Sequence, residues 1–186
     1  MGQSGMAAAL LGQAEWARSQ RHADDADALL AVAGVYEAKG GDYWATLAEV
    51  NARIANSNHS WAAEAPLSMA RYHLRRNWRA PEGVADPVVR KLHRRSEWER
   101  SQDRLDEADA LLLAADAYEA TGHDYDATLR ALEGASARAG FGDSLDMAAA
   151  RELFSGIWAD RAEAGHDETP APPVAPGRKA LWPFGR

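Results

Sequence analysis

Residues 15–50 read EWARSQRHADDADALLAVAGVYEAKGGDYWATLAEV, and residues 97–132 read EWERSQDRLDEADALLLAADAYEATGHDYDATLRAL. At an offset of 82 the two stretches agree at 21 of 36 positions without a gap. Agreement this dense marks an internal repeat, and a repeat constrains the whole architecture. The match fades after Val50 and returns as Arg71 with Trp78 against Arg151 with Trp158, at an offset of 80. A later helix therefore belongs to the unit and is about two residues shorter in the second copy.

Working outward, the matched positions read as helices and their ends. Asp24 and Asp106 suit helix caps, with Asp27 and Asp109 in the first turn, where acid complements the helix dipole. Arg18, Arg21, His22, Arg100 and Arg104 lie just before, as basic residues do at the end of a preceding helix. A break there and one continuous helix over 15–39 both fit. The next helix runs from near Asp24 to near Lys39. Its apolar stripe is Leu29, Leu30, Ala33 and Tyr36, copied as Leu111, Leu112, Ala115 and Tyr118. Gly40 and Gly122 suit a left-handed cap. Asp42 and Asp124 open another helix, with Tyr43, Leu47 and Val50, or Tyr125, Leu129 and Leu132, facing inward. A third helix follows at about 61–78 and again at about 144–163. The segment 78–87, WRAPEGVADP, reads as a linker, and 168–186, ETPAPPVAPGRKALWPFGR, as a Pro-rich tail.

Alternating β-branched and polar runs are missing, and Ala is abundant, so the expected class is all-α. The expected architecture is a tandem duplication of a unit of about 80 residues, with three or four helices each, in a solenoid-like or bundle-like stack. The expected divisions are a first unit at 1–80, a second at 81–164 and a tail at 165–186.

The turn sequences Tyr36-Glu-Ala-Lys-Gly-Gly-Asp-Tyr43-Trp-Ala45 and Tyr118-Glu-Ala-Thr-Gly-His-Asp-Tyr125-Asp-Ala127 carry a further reading. They resemble the helix–turn–helix of tetratricopeptide repeats, in which Tyr precedes a Gly-Asp-Tyr turn and a small Ala follows. The resemblance covers about thirty residues per copy. The turn here has one extra residue, and the period is near 82 rather than about 34. The resemblance implies a scaffold that binds peptides or proteins on a helical surface, and no catalysis.

The 186 residues include no Cys, which removes disulfide frameworks, Cys-ligated zinc and Cys nucleophiles. No stretch has the apolar length of a membrane span, and the start MGQSGMAAALLGQAEW lacks a signal peptide's basic and long apolar segments. A cytoplasmic protein is expected, and the Ala- and Arg-rich usage fits a G+C-rich, bacterial genome.

The repeat also sorts candidate contacts, because positions kept in both copies are mostly those the fold needs. Trp16 with Trp98, and Trp78 with Trp158, read as core. Trp44 matches Asp126, and Asp is rarely buried unpaired, so this position is expected at the surface as a contact residue. Trp61 also lacks a Trp counterpart. Charge is uneven: residues 71–104 hold ten basic and five acidic side chains, against a net charge of −7 for the chain. This block includes Arg71, Arg75, Arg76, Arg79, Arg90, Lys91, Arg94 and Arg95, with Arg71, Arg75, Arg76, Arg79, Arg94 and Arg95 as the candidate contacts. It is either a phosphate-binding patch or a seam that pairs with the acidic flanks. The six His show no paired helical spacing of a metal site, and no phosphate loop or nucleophile elbow stands out. No catalytic residue, metal ligand or cofactor is assigned. At the tail, Arg178, Lys179, Leu181, Trp182 and Phe184 form a basic, aromatic end that either docks in a partner's groove or packs back on its own domain. The expected function is a non-enzymatic protein-binding adaptor or assembly protein, with a protein partner and possible oligomers. The alternative is a nucleic-acid-associated accessory protein using residues 71–95, and a helical enzyme is the weakest reading.

Overall fold

The computed structural model describes residues 4–57, 60–81, 83–138, 145 and 147–166. Among them every regular element is an α-helix: α1 (Ser4–Ser19), α2 (Ala23–Ala38), α3 (Tyr43–Ala55), α4 (Trp61–Asn77), α5 (Pro87–Ser101), α6 (Leu105–Ala120), α7 (Tyr125–Leu132), α8 (Ala135–Arg138) and α9 (Met147–His166). The all-α class expected from composition is what the described residues show.

The region before Asp24 is broken, and the break is built from backbone hydrogen bonds. Arg21 N–H donates to the Arg18 carbonyl and His22 N–H to the Ala17 carbonyl, with Arg21 at φ 65°. This is the Schellman ending, which satisfies helix carbonyls through one left-handed residue. Asp103 (φ 63°) and Arg104 close α5 with the same two bonds. Gly40 and Gly122, both at φ 66°, end α2 and α6 in that way too, and there glycine relieves the left-handed strain.

The helix starts divide into two kinds. Asp42 and Asp124 are true caps, their carboxylates accepting from Ala45 N–H at 2.9 Å and Ala127 N–H at 2.6 Å. Asp86 caps α5 in the same manner, ahead of Pro87, which needs no donor there. Asp24 and Asp106, expected as caps, lie instead in the first turns of α2 and α6, after His22 and Arg104, which make no side-chain cap bond. They serve the helix dipole rather than a particular N–H.

Apolar spacing then selects the inward faces. Met6, Leu10, Ala14 and Ala17 of α1 pack with Leu29, Val32, Tyr36, Tyr43, Leu47, Ala70 and Leu74. Val89, Leu92, Leu111, Tyr118, Leu132 and Phe154 form a second cluster. Leu112 of α6 belongs to the first cluster, so the two clusters share a wall. Trp16 and Trp98 depart from the core expectation and are exposed. The inward stripe of α1 passes through Ala14 and Ala17, which turns Trp16 outward.

Candidate functional site

Asp109 is the centre of a buried polar network. It lies on α6 with no exposed side-chain surface. One carboxylate oxygen accepts from Tyr43 O–H of α3 at 2.7 Å and from Arg100 Nη2 of α5 at 2.6 Å. The other accepts from Arg75 Nε of α4 at 2.7 Å. Arg75 also donates to Asp106 at 2.6 Å, and Arg100 donates through Nη1 to the Arg75 backbone carbonyl. The Arg100 guanidinium lies 5.5 Å from the Tyr43 ring centroid and 5.1 Å from that of Trp78. Four helices are thus tied to one carboxylate.

Two outer contacts flank this knot. Tyr72 O–H donates to Asp103 at 2.9 Å, with Arg76 at 3.7 Å from the same residue. On the other side Trp44 Nε1 donates to Asp116 at 2.5 Å.

The electrostatics follow from burial and neighbours. Burial, reinforced by the Asp109 charge, pushes the Tyr43 hydroxyl well above its ordinary range, so it stays a donor. Burial works against the Arg75 charge, but Asp109 and Asp106 outweigh it and raise the Arg75 pKa. Burial raises the Asp116 carboxyl, while the Trp44 N–H draws it down and Glu119 and Asp42 add to the rise. Burial lowers Arg71, and Arg75 adds to the effect.

The residues singled out in the sequence fall into three groups. Arg75, Arg76 and Trp44 meet at this junction. Trp44 is half-buried rather than outward, because Asp116 of α6 holds it across the seam while its ring packs edge-on against neighbouring Tyr43 at 4.9 Å between centroids. Arg71 borders the network, within electrostatic reach of Arg75 and Asp106, half-buried and donating to Asn51 at 3.0 Å. Arg95 pairs with Glu99 at 2.7 Å and sits over Trp98, Arg79 donates to the Trp78 and Arg76 carbonyls, and Arg94 is exposed. Trp61 is 81% exposed at the start of α4. Lys179, Trp182 and Phe184 lie outside the described residues.

Sequence reading missed Asp109, Arg100 and Tyr43 as a network. Their types were visible in both stretches as Arg18, Asp27 and Tyr125, but repetition could not show what packs on them. No group of three or more His, Cys, Asp or Glu among the described residues is placed to hold a metal ion, and no described helix is long and apolar enough to cross a membrane. Fold and network together define an all-helical protein clasped across its middle by buried charge. Set against family models, curated proteins and solved structures, the chain matches none.

Proposed function

We propose that this chain is a non-enzymatic, cytoplasmic protein-binding adaptor built from two related helical units, 1–80 and 81–164, with a docking tail at 165–186. The observation that carries the reading is the set of indoles left at the surface. Trp61 is 81%, Trp16 60% and Trp98 45% exposed, on helices whose other large apolar side chains are mostly inward. Exposed Trp gives up much apolar area to water and is enriched among contacts that dominate binding energy. The tetratricopeptide-like turns fit the same use of a helical surface.

The arginine block supports this reading over phosphate binding. Arg75, Arg76, Arg95 and Arg100 face carboxylates of this chain within 4 Å. Charges neutralised at home release few counterions from a nucleic acid.

The test is affinity capture from the source cell with the full chain, with and without nuclease, beside a Trp16→Ala/Trp61→Ala variant. A protein partner that survives nuclease and weakens at least about tenfold in the variant is the expected result. Nuclease-sensitive capture that falls steeply with salt, or capture untouched by the double substitution, overturns the reading.

A further inference from the structure

α5, α6 and α9 enclose an open groove of about 620 Å³. Its floor is apolar, made by Ala110, Leu111, Ala150, Leu153 and Ile157. Of its ionisable lining, Glu99 is already held by Arg95 and Arg104 and Asp160 faces Lys91 at 3.4 Å, so Glu107 and Glu152 are the acids left for a basic segment. At the positions of Met69, Tyr72 and Arg76 on α4, α9 carries Ala149, Glu152 and Gly156, all three of which line the groove. Two of these exchanges shorten the side chain, and one replaces an aromatic ring by an acid. The second half thus has an apolar trough with an acidic rim where the first half's helix carries bulk and positive charge.

The chain holds a segment with the missing chemistry. Residues 178–186, RKALWPFGR, contain three basic side chains, no acid, and Leu181, Trp182 and Phe184. We propose that this segment rests in the α5–α6–α9 groove of its own chain, aromatic rings on the floor and basic groups on the rim. Reach permits it. α9 ends at His166, and Leu153 lies thirteen residues back, about 20 Å along the helix. The eleven residues 167–177 span up to about 36 Å when extended. Pro183 has a fixed φ, which reduces the entropy lost when the segment settles. The proposal departs from the adaptor reading at the tail, which without a partner occupies its own chain's groove instead of a partner's, and it is tested on the purified chain with no captured partner.

The experiment is methyl-resolved NMR of the full chain, native and as Trp182→Ala/Phe184→Ala. Leu111, Leu153 and Ile157 are expected to shift in the variant, while Leu10 and Leu47 of the first core do not, and the native pattern persists on tenfold dilution. A second variant, Gly156→Arg, blocks the groove with the side chain that α4 carries at this position. A Cβ there meets nothing within 4 Å, and replacing a mid-helix glycine favours the helix, so the variant folds. It is expected to move the same floor methyls and to bring the Trp182 indole N–H to a solvent-exposed position. Floor methyls indifferent to Trp182→Ala/Phe184→Ala overturn the proposal. So does a native pattern that disappears on dilution, which places the tail in a second copy, and so does a Trp182 signal unchanged by Gly156→Arg.

Discussion

Arg18 and Asp27 approach at 3.3 Å with side chains 57% and 74% exposed, whereas Arg100 and Asp109 approach at 2.6 Å with no exposure at all. The residue types and their spacing are the same, and only the covering differs. Water screens the first pair, so Asp27→Ala is expected to change unfolding free energy by less than about 1 kcal/mol. Asp109→Ala strands Arg100 and removes a partner of Arg75, with an expected loss of about 3–5 kcal/mol. Urea denaturation of both variants checks the contrast, and equal losses would refute the role given to burial. Arg21 offers a cleaner test of the backbone. It holds φ 65° with an exposed side chain, so Arg21→Gly is expected to raise stability by up to about 1 kcal/mol. Asp103 is unsuited to that test, because its side chain binds Tyr72 and faces Arg76.

The helices show how local breaks alter similar sequence. α3 runs thirteen residues, but α7 stops after eight, at Leu132, where Glu133 and Gly134 (φ 67°) turn the chain into α8. Leu47 is consequently fully buried while Leu129 is half-buried. On α5, His93 is buried against Trp78 with ring centroids 5.6 Å apart, and its Nδ1 has no hydrogen-bond partner among the described residues. Burial lowers its pKa below 6.5, with Glu119 and Glu97 opposing, and burial lowers His73 as well. A base with a lowered folded-state pKa takes its proton first in the unfolded chain. Its stabilising contribution is therefore complete above pH 6.5 and is lost as pH falls toward the folded-state value. His93→Phe is expected to flatten the fall in urea midpoint between about pH 6.5 and 5, leaving the part due to His73. An unchanged pH profile would place the acid sensitivity elsewhere.

The two core clusters are joined by Leu112 and by the knot around Asp109, so most of the energy linking α1–α4 to α5–α9 is expected there. Arg75→Ala removes the bonds to both Asp106 and Asp109. The native chain is expected to unfold in urea in one transition seen alike by circular dichroism and tryptophan fluorescence. In Arg75→Ala the two probes are expected to separate and the apparent slope to fall, as two loosely coupled cores unfold. Coincident curves with an unchanged slope would mean that apolar contact alone couples the halves.

Most helix boundaries were legible in the sequence, since they rest on short-range chemistry. Gly40 and Gly122 accept a left-handed φ, Asp42 and Asp124 reach an N–H three residues on, and apolar residues three or four apart, such as Leu129 with Leu132 and Leu29 with Ala33, share a face. The junction was not legible. Arg18 with Asp27 and Arg100 with Asp109 are the same pair in sequence, and Trp44 looked outward because Asp126 matched it. Burial belongs to neither member of such a pair. It depends on a helix from elsewhere in the chain, here α4 bringing Arg75 and α3 bringing Tyr43 and Trp44, and no local pattern of residues encodes which surface that helix will cover.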